Sequence, residues 1–298
     1  MAVMYRERGT GKLLKEKVAG ESYIRWSCCS RSGRVLTHLV GSRKLFSQAG
    51  GHMQKSVFSR YSVASFVKKM DIDLSEAERD KISQYRSFND FFTRKLKPEA
   101  RPLSADPGVL VSPADGRLLA YEYLEEANPL QIKGQSVSLE KLCMSGDVEK
   151  SHKRGSVVIV RLSPADYHRF HFPADGVTGH TTVIKGKYYS VNPLSLEKNE
   201  GVFFRNSRQV TCIDAFHYGR IIMVEVGATF VGSIVQTFNP GMPVTRGTEK
   251  GYFQFGGSTV ILIFQKDRVR IDTDLLRNTK EGFETYVKMG ESIGARGE

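Results

Sequence analysis

A chain of 298 residues, 40% hydrophobic and 26% charged, is long enough for one large domain or two ordinary ones and has the composition of a folded globular protein. Its longest uninterrupted aliphatic or aromatic run, residues 260–264, is far short of the about 20 residues a membrane-spanning helix needs, so no span is expected, and charges interrupt the N-terminus, so no secretory signal is expected either. The net charge of +12 sits mostly in residues 1–70, where fourteen Lys/Arg face three acids.

Such a basic arm, interleaved with Tyr23, Ile24, Trp26, Val35, Leu36, Leu39, Val40, Leu45 and Phe46, points to an anionic partner, and the apolar interleaving favours a membrane surface over nucleic acid. Two amphipathic helices are predicted in it, over 35–46 and 59–70, with Gly50 and Gly51 as a hinge. Ser75, with Glu78 three residues on, has the pattern of a capping box for a short helix over 73–82. The segment "SFNDFFTRKL" (87–96) reads as another helix, closed by Pro98.

From Arg101 onward β-branched runs appear: "VVIVRL" (157–162), "IIMVEV" (221–226), "FVGSIVQTF" (230–238) and "VILIF" (260–264). Turn-forming stretches separate them, including "PADG" at both 113–116 and 173–176. The expected class is therefore α+β: a helical, basic N-terminal region, then a mostly antiparallel β domain. Residues 1–70 are read as a basic, amphipathic docking region and 71–298 as the domain in which any catalytic residues are to be sought. Cys28, Cys29, Cys143 and Cys212 form no CxxC pair, which points to a reducing, cytoplasmic compartment.

Three islands in the β domain could carry chemistry. Asp115 lies in the first PADG, a pattern that by itself marks only a turn. His168 and His171 lie in "SPADYHRFHFPADG". Two histidines three apart could share a metal on a helix, but Pro164 and Pro173 bracket them and aromatics alternate through them. An extended geometry and no metal are expected. Ser258 follows Gly256 and Gly257, a pair free of side chains that lets another group approach closely. A nucleophilic hydroxyl needs a base and a group to orient the base. Ser258, His171 and Asp115 supply these types in that order.

In chain order, "SFNDFFTRKLKPEARP", "SPADGR", "DYHRFHFPADG", "SVNPLSLEKNEGVFFRNSR", "VEVGATFVGSI" and "KGYFQFGGSTVILIF" together resemble the phosphatidylserine decarboxylases, which process themselves and carry a pyruvoyl group. The resemblance runs from about Phe88 to Phe264. Many members have Leu where this chain has Gly256, a change that keeps the Gly257–Ser258 bond.

The resemblance implies self-cleavage between Gly257 and Ser258, giving a β chain, 1–257, and an α chain, 258–298, that stay associated. Ser258 is implied to become the pyruvoyl cofactor, with His171 as the base for cleavage, Asp115 orienting it, and His168 as the acid that reprotonates the product carbon. It implies phosphatidylserine as substrate, phosphatidylethanolamine and CO2 as products, and no metal or PLP. The protein is then expected to be peripheral on the cytoplasmic face of a membrane, with no nucleic-acid partner; a homodimer is the assembly considered. Lys185, Lys187 and Arg205 are candidates for the lipid phosphate. The alternatives are a pyruvoyl enzyme acting on a soluble amino acid, a catalytically dead β-rich binding module, and a serine or metal hydrolase. The last lacks both a GxSxG elbow and an HExxH motif.

Overall fold

The apolar run 260–264 lies inside a longer strand, Ser258–Phe264, every residue of which is buried. A strand buried on both faces reads as a continuous apolar run, because side chains on both sides of the pleat must be hydrophobic. Each such side chain contributes about 1.5–3 kcal/mol on leaving water. In the computed structural model this strand is near the middle of a large sheet. The structure describes residues 3–18, 30, 53–122, 130–132, 135–191, 201–228, 234–255 and 258–297, with backbone only for 130–132 and 135–137.

Strands are numbered in chain order: β1 Met4–Glu7, β2 Leu13–Lys15, β3 Val109–Val111, β4 Gly116–Tyr121, β5 Leu130–Ile132, β6 Gln135–Val137. They continue with β7 Val157–Leu162, β8 Arg169–His171, β9 Gly176–Ile184, β10 Arg208–Ala215, β11 Gly219–Gly227 and β12 Ile234–Gln236. The rest are β13 Pro243–Val244, β14 Glu249–Phe253, β15 Ser258–Phe264, β16 Val269–Ile271, β17 Glu284–Val287 and β18 Ser292–Arg296.

The ten-stranded main sheet has the order β13-β9-β10-β11-β15-β7-β4-β17-β1-β2. All of its pairings are antiparallel except β1 with β17. Two three-stranded sheets, β12-β14-β8 and β16-β18-β3, and the β5-β6 ribbon complete the strands. The α+β class with mostly antiparallel strands is what the turn-punctuated β-branched runs predict.

The N-terminal region departs from its sequence reading. Residues 4–15 form β1 and β2 of the main sheet, and Glu16 is buried against Arg161, at 2.8 Å. Part of the stretch 1–70 is thus built into the body, although nothing in its local pattern alternates strongly enough to show it. The predicted helix over 35–46 and the hinge at Gly50 and Gly51 lie outside the described residues. That over 59–70 is present as Tyr61–Met70, preceded by a 3-10 turn, Val57–Arg60. Its apolar face, Val63, Phe66 and Val67, packs with Tyr85, Phe88, Phe91 and Phe92 into a second small core.

No helix forms over 73–82 beyond the 3-10 turn Ile82–Gln84. Asp73, not Ser75, supplies the local cap, accepting from the Ser75 amide at 2.8 Å. Glu78 donates its amide to the Lys95 carbonyl, and Glu76 pairs with Arg101 and Lys288. Tertiary partners therefore override the local capping pattern. The helix expected over 87–96 is only Phe88–Phe92, capped by Ser87, whose Oγ accepts from the Asp90 amide. Beyond it, Leu96 bridges back to Ala77.

The two PADG turns lie side by side. The Val111 amide donates to the Pro173 carbonyl (3.2 Å), and the His171 amide donates to the Pro113 carbonyl (2.8 Å). Each turn ends in a glycine with no room for a Cβ: one on Gly116 would lie 2.6 Å from the Arg161 carbonyl oxygen, and one on Gly176 2.6 Å from that of Asp214. Glycine at both positions lets the new strand approach its neighbour's backbone.

Candidate active site

Ser258 is the first residue of β15, paired with Leu162 on one side and Gly227 on the other, and fully buried. Its hydroxyl lies 3.2 Å from Nδ1 of His168. The other ring nitrogen of His168, Nε2, is 3.0 Å from the Ser163 carbonyl oxygen. A carbonyl can only accept, so Nε2 carries the proton and Nδ1 presents its lone pair to the Ser258 hydroxyl. The ring is stacked on Phe92, with centroids 3.8 Å apart. Burial, with Arg94 nearby, pushes the His168 pKa down to about 3, so the imidazole is neutral at pH 7.

The structure thus brings His168, rather than the expected His171, into contact with Ser258. The reason is the strand geometry: residues three apart on an extended segment point to opposite faces. His171 lies at the end of β8 opposite Glu249, against Tyr167. Its Nδ1 is buried and has no hydrogen-bond partner. Burial lowers its pKa to about 4, while the fields of Glu249 and Asp115 oppose the shift.

Asp115 is not hydrogen-bonded to His171. Its carboxylate takes both Nε and Nη2 of Arg101, at 2.9 and 2.5 Å, and the Met289 amide, at 2.7 Å. Arg101 in turn reaches Glu76 at 2.8 Å. Burial alone would lower the Arg101 pKa, but Asp115 and Glu76 hold it above its usual value. This bidentate pair fixes the carboxylate next to the turn whose Pro113 carbonyl holds the His171 backbone.

Several residues of the site were not singled out from the sequence. The turn 163–166 is the scaffold for His168: the Ser163 carbonyl holds the ring, and the Ala165 and Asp166 carbonyls accept from Nη2 of Arg94, at 3.0 and 3.3 Å. Asp166 locks this turn by accepting from the Ser163 amide and from Arg117. The helix Phe88–Phe92 grips the approach to the Gly-Gly pair. Asn89 Oδ1 accepts from the Phe255 amide at 3.0 Å, and Phe88 and Phe92 contact the Phe255 ring edge-on, at 4.9 and 5.2 Å. Their signal was the density of aromatics and Arg in "SFNDFFTRKLKPEARP". Gly256 and Gly257 themselves lie outside the described residues. Among the described residues no group of three or more His, Cys, Asp or Glu is placed to hold a metal.

The family model described as phosphatidylserine decarboxylase matches residues 88–295. The chain belongs to the phosphatidylserine decarboxylase family. The phosphatidylserine decarboxylase proenzyme of Desulfitobacterium hafniense (strain Y51) is 45% identical over 294 residues, covering 99% of this chain and 98% of that one. That of Clostridium kluyveri is 43% identical, covering 99% of each, and that of Clostridium botulinum (strain Hall) is 44% identical, covering 94% and 95%. The likeness extends well outside the matched family region, into the N-terminal residues that form β1 and β2.

Proposed function

We propose that this chain is the precursor of a self-cleaving decarboxylase that converts phosphatidylserine to phosphatidylethanolamine and CO2 at a membrane surface, using a pyruvoyl group made from Ser258. The observation that carries the reading is the buried Ser258 hydroxyl at the lone pair of a neutral imidazole, directly after the Gly-Gly pair, in a chain of this family. The relatives' name, proenzyme, supports a cut chain.

The residues present fit such a group. Ser258 is enclosed, and the next hydroxyl, Thr259 Oγ1, is buried without a partner. In the cut, Ser258 Oγ bonds to the Gly257 carbonyl carbon as the Gly257–Ser258 C–N bond breaks. The hydroxyl proton passes to a base. Elimination frees the Gly257 carboxylate, and hydrolysis releases ammonia, leaving a ketone at the former Ser258 Cα. The group so formed supplies an electron sink for decarboxylation.

His171 is assigned as the base for cleavage and Asp115 as the carboxylate that supports it. Accepting the proton creates an imidazolium, which Glu249 and Asp115 favour at His171 and Arg94 opposes at His168. His168, whose Nδ1 lies 3.2 Å from the Ser258 hydroxyl, is assigned to protonate the product carbon with a proton it takes up once that hydroxyl has been consumed. A second reading gives the cleavage step to His168, because it is His168 that touches the Ser258 hydroxyl.

Membrane docking is assigned to the N-terminal region, but not to all of it. Residues 4–16 belong to the body, and Val63 and Met70 are buried. Met53, Val57, Phe58 and Tyr61 are exposed, Phe58 at 83%, beside Lys55 and Arg60 in the sequence. Apolar side chains that insert, flanked by cations that meet headgroups, are the chemistry of an interfacial helix.

The test is release of CO2 from phosphatidylserine and from free serine by purified protein, with Ser258→Ala as control. Turnover of phosphatidylserine only, abolished in the variant, is expected; turnover of serine with the lipid inert would overturn the substrate assignment.

A further inference from the structure

Lys187 and Arg205 form a cationic pair that the cleavage and protonation steps do not use. Lys187 Nζ and Arg205 Nη2 both approach the Tyr189 hydroxyl, at 3.5 and 3.4 Å. Their nitrogens are therefore no more than about 7 Å apart. Both also lie against the Tyr189 ring, at 5.8 and 5.1 Å from its centre. Both residues are exposed, and among the described residues neither makes an ion pair. Two like charges this close raise each other's energy unless an anion joins them.

The backbone holds this pair in a fixed place relative to Ser258. The Lys187 amide donates to the Arg205 carbonyl at 2.8 Å, and the Ser207 amide returns to the Lys187 carbonyl at 2.9 Å. The Gly227 amide then donates to the Ser207 carbonyl at 2.9 Å, and Gly227 lies opposite Ser258 in the sheet. Asn206, fully buried, ties the pieces together. Its side chain accepts from the Tyr189 amide and donates to the Tyr189 and Gly227 carbonyls, at 2.9, 2.8 and 2.8 Å. Lys187 is thus three strand spacings from Ser258, roughly 15 Å between backbones, a separation of the size that an extended lysine side chain plus a phosphoserine headgroup would span.

We infer that Lys187, Arg205 and the Tyr189 hydroxyl form the receptor for the substrate's phosphodiester. This rests on the decarboxylase reading above. The phosphorus of phosphatidylserine is three bonds from the serine α-carbon. A clamp on the phosphodiester therefore places that carbon at the Ser258 end of the sheet and rejects free serine, which lacks the anion. Arg offers a planar fork and Lys a point charge, and Tyr adds a neutral donor.

The experiment compares wild type with Lys187→Met/Arg205→Met, both first checked by intact mass. Turnover is measured in mixed micelles of phosphatidylserine with an uncharged detergent, and on vesicles that also contain phosphatidylglycerol. Binding of water-soluble glycerophosphoserine is measured directly by calorimetry. The expected result is a cleaved variant whose KM rises roughly tenfold or more in the uncharged micelles, with kcat little changed. Glycerophosphoserine binding is lost, and Lys187→Arg/Arg205→Lys restores both. An unchanged KM in uncharged micelles would overturn the inference. So would a defect confined to anionic vesicles, which would make the pair part of the surface dock. An uncleaved variant would also overturn it, by showing that the pair holds the Ser258 strand. If wild type turns over no phosphatidylserine, the decarboxylase reading fails, and the calorimetric comparison still decides the anion site.

Discussion

Lys250→Met offers a direct test of how the histidine-bearing strand is held. Lys250 lies in β14, which pairs with β8, and its ammonium meets Glu225 of β11 at 2.9 Å, with both side chains fully buried. Gln236 completes the cluster, accepting from Lys250 and donating to Glu225, each at 2.9 Å. The pair is the charged member of a set of polar links between the small sheet next to His168 and His171 and the main sheet carrying Ser258, the others running from Gln209 to Gln236 and to the Ile234 carbonyl. Removing the cation leaves a buried carboxylate with only Gln236, and breaking a buried pair in this way costs about 3–5 kcal/mol. Methionine keeps the apolar stem between Phe170 and Phe238, so no large cavity adds to that cost. The comparison belongs in the Ser258→Ala background, where the chain stays in one piece. There we expect Tm to fall by roughly 6–20 °C. Adding Glu225→Met should restore most of the loss, because replacing both charges by apolar groups is often close to neutral. A single variant that loses less than about 1 kcal/mol in urea unfolding, or a double variant no more stable than the single, would refute this account of the pair.

Four further outcomes are expected. His171→Gln should leave the chain uncut by intact mass, whereas His168→Gln should be cut and fail to turn over; the reverse pattern would establish the second reading. Asn89→Ala removes the hydrogen bond to the Phe255 amide, worth about 1 kcal/mol, and should slow cleavage in a time course without abolishing it. Both histidines have folded pKa values below their unfolded value, so their contribution to stability is present above about pH 6.5 and is lost as pH falls through about 4 and 3. The stability of Ser258→Ala, measured by urea denaturation, should therefore fall between about pH 6.5 and 4 by up to about 1.4 kcal/mol per pH unit per histidine, and replacing either histidine by Gln should flatten that slope. Val57→Ser/Phe58→Ser/Tyr61→Ser should reduce flotation with anionic vesicles without lowering Tm, since these side chains are exposed; unchanged flotation would remove the dock from this segment.

The sequence made the central strand legible because burial on both faces leaves a run without polar interruption, as in residues 260–264. The islands around Asp115, His168, His171 and Ser258 were legible as motifs. Their mutual arrangement was not, because it depends on contacts between residues far apart. Asp115 is claimed by Arg101, and His168 is turned toward Ser258 by the Ser163 carbonyl. The short helix Phe88–Phe92 and the failed helix over 73–82 show the same limit. Propensity and capping describe local options, and Glu76, Glu78 and Leu96 find better partners elsewhere. Strands β1 and β2 left little pattern. They are short, lie at the edge of the sheet, and are held partly by charge, through Arg8 with Asp272 and Asp274 and through Glu16 with Arg161.

The measurement that bears most directly on the account is a denaturing intact-mass spectrum of the purified protein. The account predicts two chains divided between Gly257 and Ser258, the smaller of 41 residues and lighter by one ammonia than the fragment plain hydrolysis would give. A single uncut chain of 33.4 kDa, or a smaller chain with an intact N-terminal serine, would contradict it.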